Sequence, residues 1–281
     1  MNRSAELTQA IRRFGTAPYW RYKPGVPEEV AQVLVAAAGR DGTADSLLDI
    51  GTGAGQAVRA LHPHFRDIIA VDPVQDLLDL AERDLRPLLA PGTRLRLVQD
   101  LAEQFSPPDG WTASLVTICR AFHWIDRHLV LDRLAPIVPA TGVVAIFRDG
   151  SFWRAAKPWE GSVSPWKQAV RAVVLDFLGT GRDRPSARSS PFEGTSPDEF
   201  LAASAFCDVE KVTVPVHRTW TSESILGFLY STSFAARPLF GDRVPEFERK
   251  VRDALAKHAD TDTFAEEDEF VIWLGRKGGL P

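Results

Sequence analysis

The chain has 281 residues, 44% of them hydrophobic and 25% charged, with a formal net charge of −4. That is enough to bury a full core in one or two globular domains. No run approaches the roughly eighteen apolar residues that a membrane span requires, and the basic excess of a nucleic-acid-binding surface is missing. A small-molecule or protein substrate is therefore favoured, with neither membrane nor nucleic acid as partner. The opening MNRSAELTQAIRRFG has no apolar h-region, so a cytoplasmic location is expected. Cys119 and Cys207 lie in apolar sequence and are expected as buried thiols, with no disulfide framework. Oligomeric state has no signature in the sequence.

Between about 47 and 148, short apolar runs alternate with amphipathic stretches, the pattern of a parallel sheet with helices on both faces. SLLDI (46–50) is the first predicted strand, and 55–61 opens the helix after it. DIIAVD (67–72) is the second strand, and 74–89 then carries apolar residues at helical spacing, with an acid in its first turn. RLRLVQD (94–100) is the third strand, SLVTIC (114–119) the fourth, 127–137 a helix and GVVAIF (142–147) the fifth strand.

The alternation then pauses. Residues 151–204 begin with SFWRAAKPWEGSVSPW and pass through one helix, with Ser164 as its N-cap and Pro165 in its first turn. They then enter GTGRDRPSARSSPFEGTSP, a composition typical of a mobile loop. Regular structure resumes with a strand at 208–220, a helix at 222–233, a helix near 245–258 and a last strand, EFVIWLG, at 269–275. The expected architecture is one α/β core with an insertion between strands five and six. Placed beside the carboxyl edge of the sheet, where ligands bind, such an insertion serves as a cap. The boundaries are 1–150 for the cofactor-binding half, 151–204 for the cap and 205–281 for the completion of the core.

The stretch LLDIGTGAGQA (47–57) carries the most chemistry. Gly51, Gly53 and Gly55 fit G-x-G-x-G, whereas the dinucleotide fingerprint needs a glycine at 56, where Gln56 stands. Asp49, two residues before the first glycine, would repel a pyrophosphate but accept from an ammonium. Asp72, at the end of the second strand, can accept from both hydroxyls of a ribose. A ligand with a ribose and a cationic tail follows, and S-adenosylmethionine meets that description.

With YWRYKPGVP at 19–27, LLDIGTGAG, AVDP, VQDLAEQF, AFHWID and WTSESILGFLYSTSF, the chain resembles the class I S-adenosylmethionine-dependent methyltransferases, in particular the small-molecule branch with AFHW after strand four. The resemblance implies a Rossmann-like, doubly wound sheet of seven strands with the last antiparallel, and S-adenosyl-L-methionine as cofactor with S-adenosyl-L-homocysteine as product. It implies that Asp49, Gly51 and Gly53 hold the methionine part, that Asp72 with Pro73 meets the ribose, and that Leu101, Ala102 and Glu103 lie beside the adenine. Cys119 to His123 would run past the sulfonium, and Tyr22 and Lys23 would close over the cofactor. Leu101 stands where relatives often carry an acid or threonine, and Ser114 where strand four usually begins with an acid.

Methyl transfer needs an aligned nucleophile and exclusion of water, with a base only where the nucleophile carries a proton. His123 is the first candidate for that base, or else packs against Trp124 without moving protons; Tyr19 is the second candidate. His128 and Asp126 read as capping or surface residues. Trp153, Trp159 and Trp166 crowd the start of the insertion beside Phe152, either as an acceptor pocket or as the core of a small cap. Trp124, Arg148 and Trp153 are the substrate-binding candidates, with Asp149 beside them. His62 and His64 lack a third ligand, so no metal site is expected. The residues and the resemblance together imply an enzyme that methylates an oxygen or nitrogen of a small molecule, with natural-product biosynthesis as the expected setting. The alternatives are a non-methyl reaction such as cyclisation on the same fold, and a non-catalytic cofactor-binding protein.

Overall fold

The computed structural model describes residues 17–39, 45–149, 164–179, 196–232 and 234–278. Its strands are β1 (Ser46–Ile50), β2 (Asp67–Asp72), β3 (Arg94–Gln99), β4 (Leu115–Cys119), β5 (Val143–Asp149), β6 (Asp208–Trp220) and β7 (Phe264–Arg276). Among the described residues they form one sheet in the order β3-β2-β1-β4-β5-β7-β6. The neighbours from β3 to β5 pair in parallel, and β7 pairs with β5 antiparallel, from Val144↔Gly275 to Asp149↔Phe270. This is the doubly wound sheet expected. β2 is buried along its whole length, as a strand covered on both faces must be.

The helices are α1 (Glu28–Ala38), α2 (Gln56–Leu61), α3 (Gln75–Leu85), α4 (Arg127–Leu134), α5 (Pro165–Leu178), α6 (Pro197–Ala202), α7 (Ser222–Tyr230) and α8 (Val244–Leu255), with a 3-10 turn over Ala17–Tyr22. α1 is not among the predicted elements, although its signals are ordinary: Pro27 precedes Glu28 and Glu29, and Val30, Ala31, Leu34, Ala37 and Ala38 bury one face. At α5, Ser164 occupies the N-cap position but its side chain makes no capping bond. At α4, Asp126 caps as expected, accepting from the Leu129 N–H at 3.2 Å.

β7 starts five residues before the predicted strand. Its extra residues alternate strictly, and the inward ones include Glu266, which is buried. An acid there reads as a polar terminus until its partners are seen. Lys167 of α5 pairs with one carboxylate oxygen of Glu266, while the Trp220 indole donates to the other at 2.6 Å. Arg218 lies at 3.4 Å from Glu266 and 3.3 Å from Asp268.

The chain divides into two compact units. Among the described residues, one comprises 25–39, 45–149, 196–214 and 270–278, and the other 17–24, 164–179, 215–232 and 234–269. The core of the first includes Leu48, Ile50, Val71, Ile118, Leu131 and Ile146. The core of the second gathers Trp166, Val170, Phe177, Trp220, Phe240 and Phe247. No helix among the described residues is long and apolar enough to cross a membrane.

Candidate active site

At the carboxyl end of β1 the chain turns through three glycines in the left-handed region, with φ of 69° at Gly51, 57° at Gly53 and 80° at Gly55, which any side chain would strain. The turn hangs from β2, since the N–H groups of Gly51 and Thr52 both donate to the Val71 carbonyl, at 2.8 and 3.1 Å. A Cβ on Gly55 would lie 2.6 Å from Leu85 of α3. Close packing thus falls one residue earlier than the dinucleotide fingerprint would place it. A Cβ on Gly51 would lie 2.5 Å from that of Ala121, in the loop after β4.

Asp49 is 1% exposed. Its Oδ1 accepts from the Thr117 hydroxyl at 2.7 Å, whereas Oδ2 has no hydrogen-bond partner among the described residues. Burial pushes its carboxyl up from the usual 3.8 to about 6; the Thr52 and Thr117 hydroxyls pull back, and the nearby Asp72 charge adds to the rise. The Thr52 hydroxyl exerts its pull without a hydrogen bond of ordinary geometry, and it too is buried and unpartnered.

Asp72 closes β2 with each carboxylate oxygen on a backbone amide, Oδ2 on Gly53 at 2.8 Å and Oδ1 on Val74 at 3.0 Å. It ties the glycine turn to the start of α3. Pro73 accepts from the Gln99 side chain at 3.3 Å. After β3, Leu101 is buried, and Glu103 accepts from the Asp126 N–H at 2.7 Å, joining this turn to the one before α4.

Cys119 ends β4 half-buried, and Cys207 is exposed. The expectation of two buried thiols fails for a common reason: each sits where a strand emerges from or enters the sheet, not within it. His123 is exposed, with its ring centroid 5.1 Å from that of half-buried Trp124. The Arg148 guanidinium lies over the Trp273 ring at 5.7 Å. Asp149 instead accepts a bidentate contact from Arg120, from Nε and Nη2 at 2.7 Å each. Arg120, Thr52 and Thr117 escaped the sequence reading. A hydroxyl on a paired strand far off in the sequence, or a left-handed arginine, has no local sequence signal.

In the other unit, Tyr22 packs its ring on Gly227 of α7, where a Cβ would lie 2.1 Å from Cδ2, and its hydroxyl donates to Glu223 at 2.7 Å. Lys23 lies over the Trp20 ring at 4.0 Å. Trp166 is buried, with its indole N–H on the Ala265 carbonyl at 2.9 Å, so it serves the core of that unit. The side chain of Tyr19, the residues Phe152, Trp153 and Trp159, and the GTGRDRPSARSSPFEGTSP loop up to residue 195 lie outside the described residues.

Residues 47–141 match the methyltransferase domain family. Over 247 residues, 87% of this chain and 86% of the relative, the chain is 25% identical to an uncharacterized methyltransferase of Mycobacterium tuberculosis. It is 24% identical over 147 residues to a probable S-adenosylmethionine-dependent methyltransferase of Saccharomyces cerevisiae; that match covers 52% of this chain and 47% of the relative, about half its length. The fold is similar to that of a candidate type II methyltransferase from Anaeromyxobacter dehalogenans, with a TM-score of 0.56 and 21% identity over 92% of this chain and 99% of that one. By its seven-stranded fold and its matched domain, the chain is similar to the class I S-adenosylmethionine-dependent methyltransferases.

Proposed function

We propose that the chain transfers a methyl group to an oxygen or nitrogen of a small-molecule acceptor in the cytoplasm. The observation that carries this reading is the buried, unpartnered Oδ2 of Asp49 beside the unpartnered Thr52 hydroxyl. An orphaned buried acceptor is costly, and a cationic amino group supplies the donor it lacks. The residues present therefore fit the amino-acid tail of the cofactor. Asp72, at the carboxyl end of β2, would accept from the ribose hydroxyls. Pro73, Leu101, Ala102 and Glu103 would border the adenine.

When bound, S-adenosylmethionine supplies an electrophilic methyl group on a good leaving group. The chain's own work is to align an acceptor and keep water out. His123, exposed in the loop after β4, would take the acceptor's proton where one must leave, and Trp124 and Arg148 would contact the acceptor. The acidic net charge supports an acceptor other than nucleic acid. The test is incubation with methyl-labelled S-adenosylmethionine and a panel of small phenols, amines and carboxylic acids. Label in the acceptor with stoichiometric S-adenosylhomocysteine is the expected result. Binding without transfer across the panel would favour a sensor, and turnover without S-adenosylhomocysteine would favour other chemistry.

A further inference from the structure

Arg120 is the one non-glycine residue with positive φ, at 54°, among the described residues. An L-residue held there is strained unless its surroundings fix it, and such residues gather at functional sites. The surroundings here are specific. The Arg120 N–H donates to the Phe147 carbonyl at 3.0 Å, extending the β4–β5 ladder one step past Cys119↔Phe147. Its guanidinium is forked onto both oxygens of Asp149, and it lies over the Phe270 ring at 5.3 Å. Both members of the pair are largely buried, at 18% and 13% side-chain exposure.

The consequence appears one residue later. The left-handed turn at Arg120 redirects the chain so that Ala121 lands on Gly51, the first glycine of the cofactor turn, with no room for a side chain between them. The same loop carries His123 and Trp124. We propose that Arg120 and Asp149 are a positioning pair: the ion pair holds the strained turn, and the turn sets Ala121 and the loop after it against the glycines that receive the cofactor. Asp149 thereby acts on the donor side of the site without touching the donor. The proposal rests on the cofactor reading above.

Calorimetric titration with S-adenosylhomocysteine tests it on the full chain. Asp149→Asn keeps the shape but not the charge, and Arg120→Gly relieves the backbone strain while deleting the fork. Both are expected to weaken binding at least tenfold, with Arg120→Lys in between because an ammonium cannot make the fork. Arg94→Ala removes a more exposed ion pair with Asp67, at the opposite edge of the sheet, and is expected to leave affinity within twofold. Melting temperatures are recorded alongside. Binding within twofold of wild type by Asp149→Asn or Arg120→Gly overturns the proposal. So does a loss in Arg94→Ala equal to theirs at the same melting temperature. Should Arg120→Gly not fold, Asp149→Asn decides alone. If the wild-type chain does not bind S-adenosylhomocysteine, the cofactor reading falls and the proposal with it; if the wild type binds and the variants match it, only the positioning role falls.

Discussion

The Thr117 hydroxyl on β4 donates to Asp49 on β1 at 2.7 Å, so one oxygen of a fully buried carboxylate is satisfied from the neighbouring strand while the other has no hydrogen-bond partner among the described residues. A carboxyl titrating near pH 6 follows from that half-satisfied burial. Cofactor binding draws on the ionised form, so affinity for S-adenosylhomocysteine is expected to fall as pH drops below about 6, by up to tenfold per pH unit. Calorimetry in buffers of different ionisation enthalpy at pH 6 should show proton release on binding. Thr117→Val removes a donor that favours the carboxylate and should move this fall to higher pH; Asp49→Asn should abolish it along with most of the affinity.

The same group runs against stability. Its folded pKa lies above its unfolded value, so its contribution is complete below about pH 3.8 and is lost as pH rises through about 6. At pH 8, ligand-free Asp49→Asn is expected to be more stable than wild type by up to about 3 kcal/mol, read from chemical denaturation. A loss of stability there would contradict the burial argument.

Asp72 serves two purposes, and two variants separate them. Asp72→Ala loses the bonds to the Gly53 and Val74 amides as well as any ribose contact. Each charge-assisted bond is worth about 1.5–3 kcal/mol, so affinity should fall well over tenfold and the melting temperature should drop too. Asp72→Asn keeps one acceptor oxygen and should retain more of the fold than of the affinity. Affinity within twofold for Asp72→Ala would refute the ribose assignment.

Gly227 sits inside α7, where alanine would ordinarily gain about 1 kcal/mol of helix propensity. The Tyr22 ring stands where that methyl would go, 2.1 Å from Cδ2, and overpacking costs about 1–3 kcal/mol. Gly227→Ala is therefore expected to destabilise the protein, and the effect should reverse in a Tyr22→Ala background. Denaturant midpoints over the four-member cycle measure the coupling directly.

Glu266 neutralises Lys167 and lies beside Arg218 inside the second unit. Glu266→Gln removes the carboxylate charge that pairs with Lys167 in a buried setting, and breaking a buried ion pair typically costs about 3–5 kcal/mol. Replacing Asp253, whose ion pair with Arg249 is exposed, should change stability by well under 1 kcal/mol. Equal melting temperatures for the two variants would show that the buried network is weak.

What could be read from sequence followed from periodicity and spacing. The strands DIIAVD and DVEKVTVPVHRTW are bounded in the structure where the sequence places them, and Asp49 and Asp72 stand at the ends of β1 and β2 as predicted. The rest depended on contacts between distant segments. Glu266 extends β7 only because Lys167 and Trp220 meet it from about a hundred and about fifty residues away. Cys119 and Cys207 are exposed or half-exposed because strand ends, unlike strand centres, meet solvent. The Arg120 turn is set by Asp149 and Phe270, neither of which is near it in the chain.

The strand order puts β7, the last strand in the chain, between β5 and β6. As the ribosome delivers this chain from its N-terminus, every other strand among the described residues emerges before the one that joins β5 to β6. Until then β5 carries an unpaired edge of Val144 to Asp149, apolar for most of its length, the kind of edge that recruits other chains. The vulnerable moment in biosynthesis is therefore late, and a stalled or truncated product lacking residues from about 264 onward would lose solubility well before it lost any part of the glycine turn.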